Sequence, residues 1–262
     1  MKTSVQPLED TLIRQYCKTL RIPTVVQNFR PWAEQAVKEQ QSHIGYLEAL
    51  LGHEVAEQEQ HTIQRRLREA QFPRVKTLEE FDYAKNPLVS PSLIKRLAEG
   101  DYLKSAEPVL LIGDCGTGKT HLMTGLCVAA CRQKHRVRFT TAAALMTELT
   151  EAQHNNHLSR TMAKWRKFDL LAIDEVGYVP FGETSAELFF QLTAERNERN
   201  TNILTTNLPF SEWTKVFPNP RLCKSLLDRL TDRAHIIETG EESYRFRRSM
   251  DLQKTRRGSG KA

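Results

Sequence analysis

No stretch of this 262-residue chain is an uninterrupted apolar run long enough to cross a bilayer as a helix. The first ten residues, MKTSVQPLED, also lack the apolar stretch of a secretory signal. The expectation is a cytoplasmic protein with no membrane partner. Cysteine is sparse: Cys17, Cys115, Cys127, Cys131 and Cys223 are odd in number and include no C-x-x-C pair, so the sequence carries no zinc-ligand cluster. Cys127 and Cys131 stand four apart on one helical stretch and read as small apolar core residues. Excess positive charge is absent from most of the chain, since residues 1–244 carry 31 basic and 31 acidic residues. The whole net charge of +6 lies in residues 245–262, where Arg245, Arg247, Arg248, Lys254, Arg256, Arg257 and Lys261 face Asp251 alone. That tail reads as disordered. It suits either the backbone of a nucleic acid, through counterion release, or plain solvent.

What is present is a glycine loop. Residues 113–120 read Gly113-Asp114-Cys115-Gly116-Thr117-Gly118-Lys119-Thr120, which fits G-x-x-x-x-G-K-[ST] at every required position. Backbone N–H groups converge on a phosphate chain only where the chain turns tightly without a Cβ in the way, hence the glycines. Lys119 is expected to reach the β- and γ-phosphates and Thr120 to ligate Mg²⁺, with the loop and the following His121 lining the nucleotide. An apolar run, Pro108 to Ile112, precedes the loop, and an amphipathic stretch, His121 to Lys134, follows it. Strand, loop and helix are the context the motif requires.

Composition permits one large domain with a smaller appendage: 39% of residues are apolar and 27% charged. Residues 1–72 read as an all-helical interaction or DNA-binding domain, with segments at 8–20, 24–41 and 42–71, stopped by Pro73. Residues 73–107, with Pro73, Pro87 and Pro91, read as a connector holding a short helix near 92–99. Beyond Pro108, strands at 108–112, 136–140, 169–173, 202–206 and 234–238 alternate with helices at 118–134, 142–153, 157–167, 183–199 and 221–232. Such alternation predicts an α/β domain over 108–246, a parallel five-stranded sheet with helices on both faces. Residues 247–262 form the basic tail.

The third strand runs into Asp174-Glu175, which places two carboxylates at the sheet's carboxyl edge, beside the glycine loop. Asp174 is read as the Mg²⁺ partner and Glu175 as the group that polarises the attacking water. Asn207, at the tip of the next strand, can orient that water or touch the γ-phosphate. Arg229 lies on a later helix; ring-forming ATPases present such a guanidinium from one subunit to the γ-phosphate of its neighbour. Arg245, in Ser243-Tyr244-Arg245, is read as a contact to nucleotide from the same chain.

Five blocks, GTGKTHL at 116–122, RVRFTTAAAL at 136–145, DLLAIDEVGYVP at 169–180, TTNLPFSEW at 205–213 and LLDRLTDRAHIIE at 226–238, together resemble the IstB family. These are AAA+ ATPase helpers encoded beside the IstA transposase of insertion sequences, similar to the DnaC and DnaI helicase loaders. The resemblance covers nearly the whole chain, least strongly residues 1–40 and the tail. It implies an AAA+ fold, ATP and Mg²⁺ as ligands, Lys119 and Thr120 as the Walker A pair, and Asp174 and Glu175 as the Walker B pair. It further implies Asn207 as the first sensor, Arg229 as the trans-acting arginine and Arg245 as a sensor arginine. Its expected partners are duplex DNA, an IstA-like transposase and further copies of the chain. Two other readings stay open: a helicase loader, and a DNA-binding scaffold whose ATPase has lapsed. The family usually has Gly-Pro-Pro-Gly where this chain has Gly113-Asp114-Cys115-Gly116. A less pre-organised loop and the Asp114 charge are therefore expected to weaken ATP affinity. No motif marks the DNA path; candidates are Arg132, Lys134, Arg136, Arg160, Lys164, Arg166 and Lys167.

Overall fold

The computed structural model describes residues 6–197 and 199–241. The chain packs as two compact units that divide after Arg65. The first is helical. Helix α1 spans Gln6–Leu20, α2 spans Pro23–Lys38, and α3, His43–Ala70, begins in this unit. Arg21 adopts a left-handed conformation (φ 59°) at the turn, and Pro23 starts α2, where its missing N–H costs nothing. Cys17, Val25, Phe29 and Leu50 form a small core. Glu54 is buried, yet its carboxylate accepts the Val25 N–H at 2.9 Å and so satisfies an orphan donor in the first turn of α2.

The second unit is built on β1 (Val109–Ile112), β2 (Val137–Thr141), β3 (Leu170–Val176), β4 (Thr201–Thr206) and β5 (His235–Glu238), all parallel, in the order β2-β3-β4-β1-β5. Its remaining helices are α4 (Pro91–Ala98), α5 (Asp101–Lys104), α6 (Lys119–Arg132), α7 (Ala142–His154), α8 (Leu158–Arg166), α9 (Glu183–Arg196) and α10 (Pro220–Thr231). Alternate strand residues enter opposite cores. Leu110, Leu171, Ile173 and Leu204 pack with Leu145, Trp165, Phe189 and Leu226. Val109, Leu111, Leu170, Ala172 and Ile203 pack with Leu122, Leu126, Cys127 and Cys131 of α6. Two covered faces explain strands that read as continuous apolar runs. Cys127 and Cys131 are fully buried, and burial pushes the Cys131 thiol up to about 12. Each buried leucine contributes about 1.5–3 kcal/mol.

The segment between Pro73 and Glu107 is part of this second core, contributing Phe81, Val89, Ile94, Leu97 and Tyr102. Two further departures from the sequence expectation concern element ends. Helix α9 stops at Arg196, where Asn197 turns extended (ψ 142°), instead of reaching 199. Strand β3 does not end at Ile173 but continues through Asp174 and Glu175 to Val176. Arg196 explains the first. Its fully buried guanidinium donates to Asn202 Oδ1 (2.8 Å), to the carbonyls of Trp165 (2.8 Å) and Phe168 (2.9 Å), and to that of Thr201 (3.0 Å). Burial lowers its pKa to about 10, so it stays cationic at neutral pH. Five donors in a rigid fork thus tie α9 to the amino ends of β3 and β4, opposite the end that carries the glycine loop.

Candidate nucleotide site

The strand order explains the site. β1 lies between β4 and β5, so the loop that leaves β1 is flanked by the carboxyl ends of both, the position where parallel α/β sheets bind ligands. Gly113 N–H donates to Thr206 O (3.3 Å) and Asp114 N–H to Gly240 O (2.9 Å). Thr117 is buried; its hydroxyl lies 2.6 Å from the Thr239 hydroxyl and 2.8 Å from Asp114 O. Gly113, Gly116 and Gly118 all have positive φ (151°, 86° and 100°). A Cβ on Gly113 would collide with the Thr239 hydroxyl, and one on Gly118 would come within 2.8 Å of the Phe81 ring. The loop is therefore shaped by backbone conformation and by close neighbours, both of which require glycine.

Helix α6 starts at Lys119, so its first N–H groups and positive dipole end point into the loop. The Lys119 ammonium donates to the carbonyls of Gly113 (2.6 Å) and Asp114 (2.7 Å), and so sits over the loop's concavity. The Thr120 hydroxyl donates to both oxygens of Asp174, at 3.0 and 3.2 Å. Asp174 is buried on β3, two strands from β1, and also accepts from the Thr205 hydroxyl of β4 and from the Glu175 N–H at 3.2 Å. Glu175 itself is exposed and left-handed (φ 61°). Asn207 follows β4. It shares a cavity of about 630 Å³ with Gly113, Asp114, Leu88, Thr239 and Gly240.

Six residues read from the sequence therefore converge: Gly113, Gly118, Lys119, Thr120, Asp174 and Asn207. Asp114 and Cys115 are exposed, and Asp114 lines the same cavity as Gly113 and Asn207. His121 is turned toward the segment before β1. Its Nε2 lies 2.8 Å from Thr77 O and its ring meets Phe81 edge-on at 5.3 Å. With Phe81, Asn86, Arg74 and Lys76 it borders a second cavity of about 230 Å³ beside Gly118. Burial lowers the His121 pKa, so the ring is neutral at pH 7. Arg229 does not join this group within the chain. It is exposed at the end of α10, with its guanidinium 4.8 Å over the Phe190 ring and Asp228, Asp232 and Asn197 nearby. Arg245 and the basic tail lie outside the described residues. Of the DNA-contact candidates, Arg132 pairs with Glu79 (3.1 Å), Lys164 with Glu148 (2.8 Å) and Arg166 with Glu195 (3.1 Å). Such surface pairs hold a side chain weakly.

The sequence reading missed Thr205, Thr239 and Phe81. A pair of threonines interrupting an apolar strand was the available signal for Thr205; Thr239 and Phe81 are brought in by tertiary contacts that leave no local mark.

A magnesium ion fits the donor set, which is hard oxygen only: one hydroxyl and one carboxylate, already 3.0 Å apart. Mg²⁺ takes few protein ligands and completes its shell with water and phosphate oxygens. No cluster of three or more His, Cys, Asp or Glu capable of holding a metal occurs among the described residues.

A parallel sheet of order β2-β3-β4-β1-β5, with a glycine loop on β1, between β4 and β5, and an acidic pair on β3, defines a phosphate-loop nucleotide-binding protein of the AAA+ class. Solved structures share this fold. DnaA of Aquifex aeolicus bound to AMPPCP superposes with a TM-score of 0.53 at 19% identity, over 64% of this chain and 50% of that one. DnaI superposes with 0.50 at 19%, over 62% and 90%. The chain belongs to the family of IstB-like ATP binding proteins, which matches residues 15–251. An insertion-sequence ATP-binding protein of Sinorhizobium fredii is 35% identical over 98% of this chain and 86% of its own length. The IS21 ATP-binding protein of Pseudomonas aeruginosa is 35% identical over 82% and 81%. No helix among the described residues is long and apolar enough to cross a membrane.

Proposed function

We propose that this protein is a Mg²⁺-dependent ATPase that assembles on duplex DNA, helps a partner transposase use target DNA, and employs ATP hydrolysis as its assembly and release switch. The observation that carries the ATPase part is the contact between Thr120 of the loop and Asp174 of β3, with Lys119 over the loop. Likeness to insertion-sequence ATP-binding proteins over nearly the whole chain supports the transposition part.

In this reading Lys119 exchanges its two carbonyl partners for phosphate oxygens, and loop N–H groups hold the rest of the triphosphate. Thr120 and Asp174 would hold Mg²⁺, which supplies charge neutralisation at the phosphates. Glu175, exposed beside them, accepts a proton from the attacking water. Asn207 orients that water. Arg229, remote from its own chain's loop, serves the loop of a second copy.

Particle imaging of the protein with duplex DNA tests the proposal. ATP is expected to produce assemblies along the DNA that are absent without nucleotide. Failure to engage duplex DNA with ATP present, or capture of a hexameric helicase instead of a transposase when both are supplied, would contradict it.

A further inference from the structure

Asp174 and Glu175 are consecutive, so a regular strand would send their side chains to opposite faces of the sheet. The β3–β4 pairing departs from regularity at this point. Ile173 pairs with Leu204 and Val176 with Thr206, which leaves Asp174 and Glu175 together opposite the single residue Thr205. Two residues against one is a β-bulge, the device that re-aims a side chain beside a site. Glu175 takes up the bulge with its left-handed backbone.

The Thr205 hydroxyl fills the gap. Thr205 is buried, donates to Asp174 Oδ1 and accepts the Glu175 N–H at 2.9 Å. One hydroxyl thereby uses its proton on one acidic residue and a lone pair on the backbone of the other. Thr120 also donates to Asp174, but Thr120 is the metal ligand in the reading above. Once its oxygen turns to a metal, Thr205 is the remaining side-chain donor on Asp174 among the described residues.

We infer that Thr205 is the positioning residue of the site, fixing the Asp174 carboxylate toward the metal and the Glu175 backbone toward the attacking water. This rests on the Mg²⁺-ATPase reading and adds a residue to it. A methyl in place of the hydroxyl would remove both Thr205 bonds, leaving the bulge only the Glu175 N–H to Asp174 contact at 3.2 Å, while keeping the side chain's shape.

The test compares Thr205→Val and Thr205→Ser in the full-length protein with ATP and duplex DNA. Thr205→Val is expected to lower kcat about 10²-fold, the scale of an ångström-sized misplacement. Calorimetric titration of Mg²⁺ into the ATP-bound protein should show about tenfold weaker metal binding, as when a metal ligand loses its hydrogen-bond partner. The KM for ATP should stay within about twofold, because loop binding is untouched. Thr205→Ser keeps the hydroxyl and should recover most of the rate and of the Mg²⁺ affinity. Should the valine protein not fold, Thr205→Ala carries the same expectations. Valine and serine variants equally impaired would mean that packing matters and the hydroxyl does not, overturning the inference. So would a valine variant with unchanged kcat and Mg²⁺ affinity beside an active unsubstituted protein. An unsubstituted protein without Mg²⁺-dependent hydrolysis would instead overturn the ATPase reading itself, and the Thr205 role with it.

Discussion

Glu175→Gln protein is expected to bind ATP normally and to hydrolyse it about 10²–10⁴ times more slowly, the usual range for losing a general base. The substitution keeps length and shape. The Glu175 backbone is held through its N–H by Thr205 (2.9 Å) and Asp174 (3.2 Å), neither of which involves the replaced carboxylate. The side chain is exposed, so the amide buries nothing new. What is lost is an oxygen that can take a proton. The phosphate-binding groups, Lys119 and the loop N–H donors, remain in place. Assemblies on DNA should therefore persist with ATP instead of turning over. Phosphate release at saturating ATP and DNA measures this directly; turnover within about twofold of the unsubstituted protein would remove Glu175 from the catalytic role.

Arg229→Ala carries the second large effect. Arg229 lies over the Phe190 ring at 4.8 Å on an exposed helix end, a contact worth about 0.5–1 kcal/mol at such sites, so the fold survives its loss. A guanidinium delivered to the γ-phosphate in trans is worth about 10³–10⁵ in rate. The variant should accordingly bind ATP and hydrolyse almost none. Mixing distinguishes trans from cis. Lys119→Ala subunits have a crippled loop but an intact Arg229, and Arg229→Ala subunits the reverse. In a head-to-tail assembly each interface joins one loop to one neighbouring arginine. Random equal mixing then restores about one quarter of the unsubstituted activity, since half the subunits have a working loop and half of those gain a working neighbour. Complete absence of rescue contradicts the shared site.

Local signals carried much of the fold. The strands around 109–112 and 170–173 were legible because both faces of the sheet are covered, which makes each strand a continuous apolar run. The glycine loop was legible because positive φ at Gly113, Gly116 and Gly118 demands glycine. Residues 73–107 look like a linker because Pro73, Pro87 and Pro91 punctuate them. Yet Val89, Ile94 and Leu97 pack into the same core as α6, a tertiary fact without a local period. The bulge at Asp174-Glu175 was hidden for a related reason. It depends on β3–β4 register, and the residue that fills it lies 31 positions after Asp174. Arg229 could be nominated but not placed, since the role proposed for it lies on another copy of the chain, where its own chain's geometry gives no guide. The altered loop residues, Asp114 and Cys115, prove to be solvent-facing, with the Asp114 N–H donating to Gly240 O. A proline there would lose that bond, so the departure from Gly-Pro-Pro-Gly has a partner in this chain.

The most direct measurement is calorimetric titration of ATP with Mg²⁺ into the unsubstituted and Lys119→Ala proteins. Two charge-assisted hydrogen bonds from the ammonium, about 1.5–3 kcal/mol each, predict at least about a hundredfold loss of affinity on removal of Lys119. Binding of ATP by the Lys119→Ala protein with unchanged affinity would contradict the assignment of residues 113–120 as the phosphate cradle.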